Sequence, residues 1–184
     1  MNIELIDALD KNGNPTGERK TRLQILDEGD WRNVIHVWLV NDQQELLVQQ
    51  RASRGLWDNL WDISVGGGVS SGEKPLQTAV RELNEELGIR IKPADLHPLG
   101  VWDTSKSLPE RKVMAHEFSY SYLLHRDVPI SSLVLQPEEV TQVEYLGLAD
   151  LKRQMRDNSD YNNWVPHPKK YYLEVINLIE RRIK

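Results

Sequence analysis

The chain has 184 residues, of which 28% are charged and none is cysteine, and its formal net charge at pH 7 is −5. This length is typical of one domain, and the absence of cysteine excludes disulfides, thiolate nucleophiles and thiolate metal sites. The acidic balance argues against dedicated nucleic-acid binding, which needs a concentrated basic face. The longest apolar run, residues 34–40, is far shorter than the roughly 18 residues of a membrane-spanning helix, so we expect no membrane span. The first residues lack the basic start and apolar middle of a secretory signal, which predicts a cytoplasmic location.

Predicted strands and helices alternate along the chain with no linker, repeat or low-complexity tract, which favours one domain over residues 1–184. The strand predictions are residues 3–9, 33–40, 45–49, 60–65, 96–104, 112–124 and 141–145. A turn is predicted at residues 11–15, and the strands on either side of residue 42 are predicted to form a hairpin. The helix predictions are Pro75–Leu87, 148–155 and 168–183. Together these elements predict an α/β fold with a mixed sheet flanked by helices.

The central helix has limits marked at both ends. Pro75 suits the first helical turn, and Gly88 suits the left-handed position just past the end. At about 100° per residue, its apolar positions fall within one stripe that would face the core. These positions are Leu76, Ala79, Val80, Leu83 and Leu87.

Three glutamates, Glu82, Glu85 and Glu86, share one flank of this helix. A solvated face is the ordinary explanation for such a cluster. Here, however, the glutamates lie near the negative end of the helix dipole, and Glu82 and Glu86 repel each other at i, i+4 spacing. Arg81 gives local compensation. A divalent cation would relieve the repulsion, and hard oxygen ligands favour Mg²⁺ or Mn²⁺.

Residues 67–89 combine these features into one spaced pattern. Gly67 is followed by Glu73, then by Arg81-Glu82-Leu83, Glu85-Glu86 and Gly88-Ile89. This pattern resembles the signature of the Nudix hydrolase family at every fixed position. The resemblance implies an α/β/α sandwich that hydrolyses a diphosphate linkage, typically in a nucleoside diphosphate joined to another group, and suggests a homodimer.

The resemblance also implies roles for individual residues. Glu82, Glu85 and Glu86 would bind the divalent metal, and the Gly67 carbonyl would add a ligand. Glu73 and Arg81 would hold the loop and the glutamates in place beside the reacting groups. Either Glu85 or Glu86 would accept a proton from the attacking water.

A narrower resemblance concerns the N-terminal arm, residues 1–30, and the strand after it, which are similar to the isopentenyl-diphosphate isomerase branch of the superfamily. In that isomerase a catalytic cysteine and a metal-binding histidine precede the glutamate helix, whereas this chain has Gly66 and Gly68 there. Without a thiol, the isomerase's acid/base pair cannot be assembled. We therefore expect a hydrolase, with prenyl-diphosphate isomerisation and a non-catalytic nucleotide-binding module as alternatives.

Several residues outside residues 67–89 are further candidates. Glu117 is a candidate extra metal ligand, with an exposed strand carboxylate as the alternative, and Glu138 and Glu139 are candidate loop bases. Arg51 and Arg54 are candidate phosphate contacts. Of the tryptophans, Trp164 is predicted to contact the substrate from a covering loop, and Trp57 and Trp61 are assigned to the core. The histidines show no metal-ligand spacing, and His36 is assigned to the core.

Overall fold

The structure, a computed structural model, describes residues 4–53, 56–108, 113–157 and 161–183. The strands in chain order are β1 (Ile6–Leu9), β2 (Pro15–Lys20), β3 (Trp31–Val40), β4 (Glu45–Arg51), β5 (Trp61–Asp62), β6 (Val65–Gly68), β7 (His97–Asp103), β8 (Lys106–Leu108), β9 (Val113–His125) and β10 (Val140–Gly147). The α-helices are α1 (Arg22–Glu28), α2 (Pro75–Leu87), α3 (Leu148–Asp157) and α4 (Lys169–Arg182). Short 3₁₀ turns cover Pro93–Asp95, Ile130–Ser132 and Tyr161–Asn163. None of the described helices is long and apolar enough to cross a membrane.

Strand β3 is the centre of a mixed sheet. It runs parallel to β9 along its whole length, from the pair Trp31 and His116 to the pair Val40 and His125. Its other edge pairs antiparallel with β6, which carries the glycine triplet. The remaining ladders described are antiparallel. The prediction of a mixed sheet is therefore confirmed, and among the described strands the pairing of β3 with β9 is the longest.

Helices cover both faces of this sheet because β3 is apolar on both sides. Ile35, Val37 and Leu39 pack against α2. Trp38 and Val40 point the other way and pack against α3 and α4. Successive side chains of a strand point to opposite faces, so one continuous apolar strand joins the two cores. The predicted α/β/α sandwich is confirmed.

The predicted hairpin forms only at its turn. Strands β3 and β4 pair at Val40 and Leu46 and then diverge, β3 toward β6 and β9, and β4 toward β5 and β10. Ser64 lies in the gap, where its Oγ accepts from the Leu39 backbone N–H at 2.8 Å and donates to the Leu47 carbonyl at 2.6 Å. This buried hydroxyl satisfies backbone groups that a regular hairpin would have paired. Two short strands, β5 and β6, accordingly take the place of the single strand predicted over residues 60–65.

The N-terminal arm contains two elements that the sequence analysis missed, β2 and α1. Thr21 caps α1 in a capping box with Gln24, a signal that was present in the sequence. Both Ile25 and Leu26 are buried by this short helix. The arm is thus folded onto the body, since α1 packs on β9 and β1 pairs with β3.

Candidate active site

Helix α2 and strand β6 form one wall of a cavity of about 280 Å³. The helix begins at Pro75 and ends at Leu87, and Gly88 closes it at a φ of 70°, as predicted. Its apolar stripe is buried against β3 and β6. This packing leaves the acidic flank facing the cavity, whose lining includes Glu82, Glu85 and Glu86.

Arg81 connects the glutamates of the acidic wall, by which we mean the flank of α2 that carries Glu82, Glu85 and Glu86. Its Nε and Nη2 donate to the two carboxylate oxygens of Glu73 at 3.2 and 3.1 Å. Its Nη1 lies 2.9 Å from Glu82 Oε1 and 2.7 Å from Glu85 Oε2. A second hydrogen bond, from Thr78, fixes Glu73 at the start of the helix. One guanidinium thereby ties the loop before α2 to two of the three glutamates.

Burial disfavours the charged form of two of the glutamates, Glu86 and Glu82. Only 4% of Glu86 is exposed, and its Oε2 accepts a hydrogen bond from Gln49 Nε2 at 3.0 Å. Burial raises the pKa of Glu86 well above its usual value, and Glu82 adds to the effect. Burial raises the pKa of Glu82 to about 7, which Arg81 only partly offsets and Glu85 reinforces. Both carboxylates would be stabilised by an added cation.

Gly67 brings the backbone of β6 against Glu82. A Cβ added at Gly67 would lie 2.7 Å from the Glu82 carboxyl carbon, so the Glu82 side chain would have to move. The neighbouring Gly66 leaves more room, with its nearest side-chain atom, His36 Cδ2, at 3.6 Å. Glycine at position 67 therefore lets the Glu82 carboxylate lie against β6.

The donor set fits a hard divalent cation in its chemistry. Glu86 supplies buried carboxylate oxygens, Glu82 supplies those of a side chain that is 14% exposed, and the Gln49 amide Oε1 beside Glu86 is buried without a partner among the described residues. Within the described residues, no three His, Asp or Glu side chains converge on a common point in this arrangement. The reason is local, since the Arg81 guanidinium lies between Glu82 and Glu85 and supplies the positive charge there.

Positive side chains line the part of the cavity away from α2. Arg51 lies there with its Nη1 3.7 Å from Asp62 Oδ2, so it faces the same space as the glutamates. His167 Nε2 lies 3.2 Å from Asp62 Oδ1. Together with Arg51, His167 holds the pKa of the buried Asp62 at about 2, although burial by itself would raise it. Arg54 lies outside the described residues.

Glu117 is not an exposed strand carboxylate, the alternative weighed above. It is buried on β9, where its Oε1 accepts from Arg32 Nη2 at 2.5 Å and its Oε2 accepts from Lys106 Nζ. Although burial alone would raise the pKa of Glu117, Lys106 and Arg32 hold it well below its usual value. Both carboxylate oxygens are already engaged by cations, so we do not retain Glu117 as a metal ligand.

The structure contradicts the prediction for Trp164. It is buried under α3, donates to Gln154 Oε1 at 3.1 Å and packs on Tyr172, so it does not line the cavity. Its apolar ring fills the core between α3 and α4, which rules out the predicted lid contact. Trp57 is buried in a hydrophobic cluster, as predicted, and it also lines the cavity.

The candidate bases lie at different places. Glu139 lines the cavity from the loop before β10 and is exposed, whereas Glu138 does not line it.

His36 is buried, and its Nδ1 lies 2.6 Å from the Tyr171 hydroxyl, so its assignment to the core is supported by a satisfied ring nitrogen. It also borders the cavity, which the sequence pattern gave no reason to expect.

Sequence reasoning missed Arg32 and Lys106 altogether. They lie on β3 and β8 and meet at Glu117 on β9, at separations of 85 and 11 residues along the chain. No helical or strand period connects positions so far apart. The one signal for Arg32 was a charged residue just before the apolar run of β3.

Comparison with known proteins identifies the family. Residues 30–167 match the NUDIX domain. The chain belongs to the Nudix hydrolase family. Nudix hydrolase 3 of Arabidopsis thaliana is 36% identical over 151 residues, which cover 79% of this chain and 19% of that protein. The chain thus spans about a fifth of the length of this plant relative. An uncharacterised Nudix hydrolase of Listeria monocytogenes is 33% identical over 152 residues and is covered over 83% of its length.

The Nudix relatives extend into the isomerase branch. An isopentenyl-diphosphate Δ-isomerase of Pectobacterium atrosepticum is 29% identical over 171 residues, covering 89% of this Nudix chain and 88% of that enzyme. A crystal structure of a Deinococcus radiodurans protein shares the fold with a TM-score of 0.69 and 22% identity, covering 95% of this chain and 98% of that chain. The predicted resemblance to an isomerase-like branch, here without cysteine, is confirmed.

Proposed function

We propose that this Nudix protein hydrolyses the diphosphate linkage of a small organic diphosphate, in particular a nucleoside diphosphate derivative, with Mg²⁺ or Mn²⁺ as cofactor. The observation that carries the proposal is that one cavity holds both a cluster of carboxylates and a cluster of cations. Glu82, Glu85 and Glu86 of α2 line it, and so do Arg32, Arg51 and Lys106. A diphosphate with a bound cation presents both signs of charge and matches both clusters.

The carboxylates and the cations of the cavity each have a proposed role. Glu82, Glu85 and Glu86 would hold the cation, with the Gly67 carbonyl as a further ligand. A bound divalent cation neutralises phosphate oxygens and lowers the pKa of the attacking water. Arg51 would donate to phosphate oxygens through its planar fork.

The remaining roles concern positioning and proton transfer. Glu73 and Arg81 would position the glutamates, because Arg81 contacts both Glu73 and two of the cation-binding side chains. The proton released by water has two candidate acceptors that line the cavity and are exposed, Glu85 and Glu139.

The test is a panel of diphosphates incubated with the protein and millimolar Mg²⁺ or Mn²⁺, with phosphate-containing products followed by ³¹P NMR. Removal of the metal with EDTA should abolish turnover. Glu86→Gln should lower kcat by roughly 100-fold or more, since it removes a charged ligand. Asp27→Asn, an exposed change on α1 outside the cavity, is the matched control. Full activity of Glu86→Gln, or of the metal-free protein, would contradict the proposal.

Isomerisation of a prenyl diphosphate is the second candidate, favoured by the isomerase relative. The structure gives it little support, because Gly66 and Gly68 carry no side chain for acid/base chemistry and Arg32 occupies the space beside Gly68. Incubation with isopentenyl diphosphate distinguishes the two functions. Movement of the double bond in the ¹H spectrum without phosphate release would establish the isomerase, and phosphate release would establish the hydrolase.

The cytoplasmic location and the homodimer stay predictions. We propose the dimer from the family resemblance. Analytical ultracentrifugation of the full chain tests it directly, with a monomer mass at micromolar concentration as the contrary result.

A further inference from the structure

One part of the cavity is rich in basic side chains, of which the proposed function uses Arg51 alone. We call this region the basic end and define it by Arg32, Arg51, Lys106 and Trp57, all of which line the cavity. Lys106 Nζ lies 4.9 Å from the centre of the Trp57 ring, a cation–π distance. The basic end is built from β3, β4, β8 and the loop after β4, so it is fixed by the sheet.

Positive charge is in excess at the basic end. Arg32 and Lys106 share the single carboxylate of Glu117, and about 95% of each cation is buried. Burial lowers the pKa of Lys106 even beside Glu117. An anion placed among these groups would stabilise their charged forms.

Three N–H donors at the basic end are buried without an acceptor among the described residues. They are Arg32 Nε, Arg51 Nε and Trp57 Nε1. A buried unpaired donor costs about 1–3 kcal/mol, so a ligand group that accepts from several of them would gain free energy of binding. A group that is rich in acceptor oxygens and carries negative charge fits this part of the cavity.

The side chains at the basic end are buried. Arg32, Lys106 and Glu117 are each less than a tenth exposed, whereas Glu85 on the acidic wall has 46% of its side chain exposed. A substrate that entered past the exposed Glu85 would reach Lys106 at the inner end of the cavity. A phosphate esterified on both sides would then need a second opening there.

We propose that the basic end is the subsite for an unesterified terminal phosphate, so that the substrate is an organic diphosphate with a free outer phosphate. This inference rests on the proposed function and narrows its substrate class. In the reaction, a water oxygen bonds to one phosphorus while the bridging P–O bond breaks, and its electron pair stays on the departing phosphate. The products are an organic monophosphate, inorganic phosphate and one proton, and no further reactant is needed.

Matched substrate pairs test the subsite. Adenosine 5′-diphosphate is compared with adenosine 5′-diphosphoribose, and uridine 5′-diphosphate with its glucose ester, all with Mg²⁺. We expect kcat/KM to be roughly 10- to 100-fold higher for the member with the free phosphate, the range for a net gain of one hydrogen bond to a charged group. Equal or better turnover of the esters would overturn the subsite while leaving the hydrolase established.

Variants of Lys106 test whether its side chain causes the preference for the free phosphate. Lys106→Met should remove most of the preference for the free phosphate, while leaving Glu117 paired with Arg32. Lys106→Arg restores the charge and should restore the preference. Lys170→Met, on an exposed lysine of α4, is the matched control. An unchanged preference in Lys106→Met would contradict the assignment.

A binding measurement separates failure of the subsite from failure of the proposed function. The non-hydrolysable α,β-methylene analogue of adenosine diphosphate and its ribose ester are titrated calorimetrically into metal-free protein. Tighter binding of the free-phosphate analogue, lost in Lys106→Met, would support the subsite even if no substrate were hydrolysed. Equal binding of the two analogues would refute it whatever the catalytic result.

Discussion

Single atoms decide the shape of the acidic wall. Gly67 has no side chain where Glu82 needs the space, and the Glu82 carboxylate can lie against β6 only for that reason. Gly66, one residue earlier, faces no comparable contact. The two glycines therefore differ in function although the sequence presents them as one triplet.

Gly67→Ala should lower activity by roughly 10- to 100-fold, because the new methyl group displaces the Glu82 carboxylate from its place beside the metal site. Gly66→Ala is the matched control and should retain most of the activity. Steady-state kinetics and a Mn²⁺ titration followed by electron paramagnetic resonance measure the two effects. Equal behaviour of the two variants would show that the contact with Glu82 does not matter.

The buried charge of Glu82 predicts a pH dependence in the metal-free protein. The pKa of Glu82 is raised by burial from 4.5 to about 7, so folding favours its protonated form. Its contribution to stability is complete below pH 4.5 and is lost as the pH rises through 7. The free energy of unfolding should fall over that window by up to about 3 kcal/mol on this account.

Glu82→Gln should remove this fall in the free energy of unfolding with rising pH. Mg²⁺ should restore stability to the unsubstituted protein above pH 7. Urea denaturation at several pH values, with and without Mg²⁺, measures both. A variant with the same slope as the parent would be evidence against a destabilising Glu82.

At the scale of elements, the end of α2 is fixed by the loop that follows β9. Val134 N–H donates to the Leu87 carbonyl at 3.1 Å, and Gln136 N–H donates to the Glu86 carbonyl at 3.0 Å. These bonds satisfy carbonyls that a helix end leaves unpaired. The same loop carries Gln136 and Glu139 to the cavity, so the helix end and the site share one support.

Gly88→Ala should destabilise the protein by about 2 kcal/mol or more. Its φ is 70°, and the new Cβ would lie 2.9 Å from Val134 Cβ. Gly29→Ala is the control, because Gly29 ends α1 at a φ of 73° with no atom within 4 Å, and it should cost only about 1 kcal/mol. Thermal denaturation compares the two. Equal costs would mean that the loop does not pack on Gly88 as described.

Elements differ in how far the sequence predicted them. Helix α2 was predicted with its correct limits because Pro75, Gly88 and the apolar stripe are local signals. The hairpin was predicted too long, because the opening of β3 from β4 depends on Ser64, which arrives from elsewhere in the chain. Local periodicity shows that a strand exists and leaves its partners undetermined.

At the scale of the whole molecule, the N-terminal arm completes the cavity. Glu4, Ile6 and Arg22 line it, although the match to the NUDIX domain begins only at residue 30. The arm also holds the loop between β6 and α2. Ser71 N–H donates to the Leu5 carbonyl at 2.7 Å, and Ser71 Oγ donates to Asp7 at 2.6 Å.

Removal of residues 1–30 should lower the melting temperature and reduce kcat/KM by about 10-fold or more, because the loop before α2 loses its anchor and the cavity loses one side. Ser71→Ala, which deletes one of these bonds and keeps the arm, should show a smaller effect in the same direction. Circular dichroism and kinetics measure the two. A truncated protein as active as the full chain would contradict a role for the arm.

The sequence alone determined the acidic wall of this Nudix protein, because its residues lie on one helix and the loop before it. The spacing of residues along a helix fixes the side of the helix on which each side chain lies. Only the tertiary structure decided the basic end. Arg32, Lys106 and Glu117 come from three strands, and the parallel pairing of β3 with β9 brings them together. Strand pairing is set by the packing of the whole core, which no local period encodes. The same packing placed Trp57 in the cavity and Trp164 beneath α3.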